Sequence, residues 1–108
     1  MQTDKSEKKK FPNDYELVPP DFFLSQNYPN PFNDKTKIKY CVAYKTNVLI
    51  EILNEKGEII ETLINKKHEV GTFEIEFSAG TLPEGSYTCL MSTGDFISAK
   101  KMELLKEL

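Results

Sequence analysis

Few side chains in this sequence have both the type and the neighbours that chemistry requires. The single histidine, His68, stands between Lys67 and Glu69 in a polar stretch. A general base needs a substrate-facing position and a group that fixes its tautomer, and this setting supplies neither, so His68 is expected to be a solvated loop residue. Glu74 and Glu76 alternate along one stretch, which would place two carboxylates about 7 Å apart on one face of a strand, a separation reminiscent of glycosidase pairs. The same alternation describes the wet face of a half-buried strand, and that reading is adopted. Cys41 and Cys89 have no histidine or Cys-x-x-Cys company that would lower a thiol pKa. Nucleophile elbows, phosphate-binding glycine loops, HExxH and calcium-loop spacings are absent. One histidine and two distant cysteines do not make a zinc site. The expectation is a non-catalytic chain with no cofactor and no metal.

The elements that must position these residues belong to a chain of 108 residues, enough for one domain. Its formal net charge is -3, and all 14 basic residues are lysine. Without arginine the bidentate contacts that read bases and clamp phosphates are missing, so nucleic acid is not an expected partner. No apolar run approaches the ~18 residues of a membrane span. Residues 1–10 are charged with no apolar segment behind them, which does not fit a secretory signal peptide. As written, the chain is expected either to remain in the cytoplasm, with Met1 a native start, or to be a piece of a longer exported precursor.

Residues 1–21, charged and carrying Pro12, Pro19 and Pro20, read as a linker or disordered tail, and 22–108 as the folded domain. From Phe22 onward short segments with period-two alternation recur between Gly, Pro and Asn signals, the pattern of an all-β sandwich of about seven strands. Strands are expected at 22–28, 36–44, 48–53, 58–64, 73–77, 85–92 and 96–105. The turn Asn54–Gly57 joins the third and fourth, a polar loop Asn65–Gly71 follows the fourth, and Leu82-Pro-Glu-Gly85 suits a type I turn. Taken alone, Lys100–Leu108 also fits a short helix. Ile38, Tyr40 and Val42 share one face, which turns Cys41 outward. Cys89 shares the face of Tyr87 and Met91 and points inward, so two free thiols are expected rather than a bridge.

The segment Leu24-Ser-Gln-Asn-Tyr-Pro-Asn-Pro-Phe-Asn33 is the one specific motif. Pro29 and Pro31 bias Tyr28 and Asn30 toward extended backbone, and the asparagines can close turns on their own main chain. A stiff entrance to the sandwich results, with Tyr28 and Phe32 expected to cap the end of the core.

On these residues the sequence resembles the type A C-terminal sorting domains of cargo proteins exported by the type IX secretion system of Bacteroidota and related phyla. The resemblance runs from about Leu24 to Lys106. It is carried by Gln26-Asn-Tyr-Pro-Asn-Pro-Phe-Asn33, then by Thr36, Ile38, Tyr40, the Val48–Asn54 strand, Gly57, Leu63, Gly71, Leu82-Pro-Glu-Gly-Ser-Tyr87, Gly94 and Lys100-Lys-Met-Glu-Leu-Leu-Lys106. The resemblance implies an immunoglobulin-like antiparallel β-sandwich that directs an attached cargo from the periplasm through the outer-membrane translocon to the cell surface or medium. It also implies protein partners in the translocon, and a sortase-like cysteine protease that removes the domain by cutting before about Phe22 and can attach the cargo to lipopolysaccharide. Translocon recognition would fall on Leu82, Pro83, Gly85, Tyr87, Lys100, Lys101 and Lys106. Deleting Lys100–Leu108 would then abolish export while most of the sandwich still folds.

Several positions depart from the family's pattern. Asp34 stands where Pro is common, Phe77 where Trp is frequent and Glu58 where Arg is usual, and Glu107 and Leu108 extend the usual ending. The alternative is a stand-alone immunoglobulin-like binding or structural subunit retained in the cell; a flagellar hook-cap module is a weaker third reading.

Overall fold

The computed structural model describes residues 21–106. The expected tail therefore lies outside the described residues except for Asp21, as do Glu107 and Leu108. Seven strands form: β1 (Phe23–Leu24), β2 (Lys35–Val42), β3 (Thr46–Leu53), β4 (Ile59–His68), β5 (Gly71–Ser78), β6 (Gly85–Ser92) and β7 (Ile97–Leu104). There is no helix among the described residues, so the end of the chain takes its strand reading. One sheet has the order β1-β2-β5 and the other β4-β3-β6-β7, with every neighbouring pair antiparallel.

Sequence alternation sets this arrangement. Ile38, Tyr40, Val42 and Phe77 from the first sheet meet Val48, Ile50, Ile52, Tyr87, Cys89, Met91, Met102 and Leu104 from the second, and all are buried. Each such side chain contributes roughly 1.5–3 kcal/mol when removed from water, which is why the two inner faces must close on each other. The short turn at Asn54–Gly57 keeps β4 beside β3: the Gly57 N–H donates to the Asn54 carbonyl at 3.0 Å, and Gly57 takes φ +83°. The Asn54 side chain adds an accepted bond from Lys56 N–H at 2.9 Å and from Glu58 N–H at 3.0 Å. In a constant-type immunoglobulin domain the fourth strand instead joins the other sheet.

Three boundaries differ from the sequence reading. The first strand is only two residues long, because Pro29 and Pro31 end regular pairing and leave a single bridge, Tyr28 with Lys37. Both Tyr28–Pro29 and Asn30–Pro31 peptide bonds are cis. β4 runs through Asn65-Lys-Lys-His68, the stretch expected as a loop, because Asn47 and Thr46 of β3 pair with Lys67 and His68. Two register shifts absorb the extra length of this edge strand, one beside Leu63 and one beside Ile60. The hydrogen-bonded turn before β6 is Ala79–Leu82, with Leu82 N–H donating to the Ala79 carbonyl at 3.0 Å and Gly80 at φ +58°, three residues upstream of the expected one.

His68 is not a solvated loop residue. It is buried at 6% exposure, its Nε2 lies 2.8 Å from the Tyr40 hydroxyl, and its Nδ1 lies 2.9 Å from the Glu69 carbonyl. A carbonyl can only accept, so Nδ1 carries the proton and Nε2 of the neutral ring receives the Tyr40 O–H. Its ring also meets Phe73 edge-on with centroids 4.3 Å apart. Glu74 and Glu76 are exposed, as their alternation requires. Both cysteines are free, Cys41 partly exposed beside Thr72 and Cys89 buried. Burial pushes the Cys89 thiol up to about 12, so it stays protonated and inert.

Candidate functional site

The opening motif does more than lead into β2. Gln26 Nε2 donates to the Lys101 carbonyl at 2.6 Å, Glu103 N–H donates to Asn30 Oδ1 at 2.9 Å, Phe32 N–H donates to the Glu103 carbonyl at 3.0 Å and Leu105 N–H donates to the Phe32 carbonyl at 2.9 Å. Phe32 thereby forms a parallel bridge with Leu104. The motif lies along the outer edge of β7 and supplies the partners that an edge strand otherwise lacks. It is held rigid from within: Asn27, 3% exposed, donates to the Pro29 carbonyl and to Thr36 Oγ1, both at 3.0 Å, and the buried Thr36 hydroxyl donates to the same carbonyl at 2.8 Å.

The motif's two aromatic residues part company. Phe32 is fully buried and meets Phe77 with centroids 6.0 Å apart, capping the core as expected. Tyr28 does not cap the core: it is 81% exposed. Its N–H and carbonyl both pair with Lys37, each at 2.9 Å, and partners in an antiparallel pair put their side chains on the same face. Lys37 faces solvent, so Tyr28 must as well.

A family model described as the secretion system C-terminal sorting domain matches residues 26–104, running from Gln26 within this motif to the last residue of β7. The chain belongs to that family. No curated protein matches it. As a type IX sorting domain it is a secretion signal, it works with the secretion system, and it marks a protein bound for the cell surface or the outside.

The seven residues expected to carry recognition in the sorting domain do not form one cluster. Leu82, Pro83, Gly85 and Lys106 gather at one end, where Lys106 Nζ donates to the Gly80 carbonyl at 2.9 Å. Tyr87 turns inward and its hydroxyl donates to the Pro83 carbonyl at 2.6 Å, a bond of the tyrosine-corner type. Burial, with help from the Glu55 carboxylate, raises its pKa. Beside it a shallow hollow of about 180 Å³ is lined by Glu55, Glu58 and Glu84 with Pro83 and Gly85, so this end presents carboxylates as well as turn backbone. Lys100 and Lys101 lie on opposite faces of β7. Lys100 is in register with buried Cys89, hence on the core-facing side and half-buried, whereas Lys101 is in register with Thr88 on the outer face. An inward-pointing lysine on an edge strand opposes further strand addition. The resemblance placed Lys100 and Lys101 in one recognition set; the alternation of the strand separates them. Sequence reasoning also missed that Gln26 and Asn30 act on β7, a contact across more than 70 residues with no local signal.

Proposed function

We propose that this domain is a non-catalytic sorting signal that takes an attached cargo from the periplasm through the type IX outer-membrane translocon, and that proteolysis upstream of Phe22 then removes it. The observation that carries this reading is the joining of the matched segment's two ends: the opening motif and β7 form one hydrogen-bonded edge, so that both ends of the signal are presented together. Its action is recognition alone. The side chains best suited to chemistry are occupied otherwise, with His68 tied to Tyr40 and Glu69, Cys89 buried and protonated, and Glu74 and Glu76 open to water. Leu82, Pro83, Gly85, Tyr87, Lys100, Lys101 and Lys106 are the proposed contacts for translocon components. A sortase-like protease is the proposed second partner.

An immunoblot against residues 22–108 across cytoplasm, periplasm, outer membrane and medium tests the reading. The expected result is a large periplasmic precursor together with external cargo lacking this epitope. A species of 12.4 kDa confined to the cell interior would overturn it and favour a retained binding subunit.

A further inference from the structure

Five of the seven residues of the segment Gln26–Phe32 have a task within the fold that the Tyr28 side chain lacks. Gln26 and Asn30 bond to β7, Asn27 is buried, the Pro29 carbonyl receives two bonds, and Phe32 fills the core. Among the described residues Tyr28 contributes only main-chain bonds that any non-proline residue would make, while its ring is 81% exposed. An aromatic ring left in water gains nothing for the fold, and tyrosine is among the residues that most often anchor protein interfaces.

Its surroundings fit that role. The ring forms a ridge between two hollows, one of about 320 Å³ lined by Ser25, Gln26, Lys37, Lys39 and Glu74, the other of about 290 Å³ lined by Pro29, Lys35, Thr36, Lys37 and Glu76. Lys35, Lys37 and Lys39 stand in a row on the outer face of β2, successive members about 7 Å apart. Of these three lysines only Lys37 has an ion pair among the described residues, with Glu74 at 4.0 Å, both side chains exposed. Lys35 sits opposite Ser78 rather than a carboxylate, and Lys39 makes no ion pair with Glu74 opposite it. Lys35 and Lys39, flanking the exposed ring, thus have no carboxylate partner among the described residues. The surface is continuous with the edge of β7, since Gln26, two residues before Tyr28, reaches the Lys101 carbonyl.

We infer that Tyr28, with Lys35 and Lys39 on either side, is a docking site for an acidic protein segment of the secretion system, the ring packing against the segment while its carboxylates meet the lysines. This rests on the sorting-signal reading and adds to it a second surface, on the opposite sheet from Lys101.

The test is export of a reporter carrying residues 1–108 at its carboxyl end from a type IX-competent cell, with thermal unfolding of each purified variant alongside. Tyr28→Ala is expected to reduce export about tenfold, Tyr28→Phe to keep most of it, and the pair Lys35→Glu with Lys39→Glu to reduce it about as much as Tyr28→Ala, all with unfolding midpoints near the parent's. Normal export of Tyr28→Ala beside a blocked Lys100, Lys101 and Lys106 triple alanine variant would overturn this inference and leave the sorting reading intact. A midpoint of Tyr28→Ala lowered in step with its export would also overturn it, by making the ring structural. So would normal export accompanied by lost binding to lipopolysaccharide vesicles, which would assign the surface to a glycolipid. A parent reporter that is not exported would overturn both readings.

Discussion

Single residues carry the rigidity of the opening motif. Asn27 is buried with its amide bonded to Pro29 and Thr36, and Asn27→Ala removes both bonds while leaving part of the pocket's polar surface without a donor. The expected loss is about 1–3 kcal/mol, measured by denaturant unfolding. Cys89 illustrates a titration that the sequence alone could not place. Its thiol has an ordinary value of 9.0 and is raised by burial to about 12 in the fold. Between those values the unfolded chain binds fewer protons than the native one, so stability falls as pH rises. The slope attributable to this group reaches about 1.4 kcal/mol per pH unit, and the contribution is fully present below the unfolded value. Cys89→Ala should therefore show a flatter alkaline stability profile than the parent between pH 9.0 and about 12, whatever its stability at neutral pH. Inwardness of Cys89 and outwardness of Cys41 were legible from alternation, because a strand's period of two fixes relative facing without any tertiary knowledge. The burial of His68 was not legible: its neighbours in sequence are charged, and the partner that shelters it, Tyr40, lies 28 positions away.

Among the elements, β7 has the most to do. It contributes Met102 and Leu104 to the core, pairs along its full length with β6, and receives the opening motif on its outer edge. The expectation that most of the sandwich folds without Lys100–Leu108 does not agree with these contacts. Truncation before Lys100 should abolish the cooperative unfolding transition followed by circular dichroism, whereas Met102→Ala, which opens one cavity, should cost about 2–5 kcal/mol and leave the fold intact. Export assays on the sorting signal therefore need point variants at Lys100, Lys101 and Lys106, since a deletion removes fold and signal together. β4 shows why its own boundary was hard to read: Asn65-Lys-Lys looks like a loop, yet an edge strand tolerates lysine and bulges, and its length follows from the pairing that β3 offers.

At the scale of the whole molecule the two outer faces differ. The face of β2 and β5 carries lysines and glutamates opposite one another, Lys37 across from Glu76 and Lys39 across from Glu74, which keeps it in water. On the other sheet the outer side of β6 offers Ser86, Thr88, Leu90 and Ser92 without a charge, flanked on the same face by Glu51 of β3 and by Lys101 and Glu103 of β7. The opening motif lies where the two sheets meet, tied to β2 through Tyr28 and to β7 through Phe32. The sequence by itself determined the all-β class, the seven strands, the facing of Ile38, Tyr40, Val42, Tyr87, Cys89 and Met91, the free thiols and the family, because alternation, turn residues and a dense local motif are all short-range properties of the chain. Only the tertiary structure decided that β4 stays with β3, that Tyr28 faces water while Phe32 is buried, that Lys100 and Lys101 diverge, and that the motif seals the edge of the last strand. Those outcomes depend on hydrogen bonds and packing between residues far apart in sequence, and no periodicity within a segment encodes which distant edge it will meet.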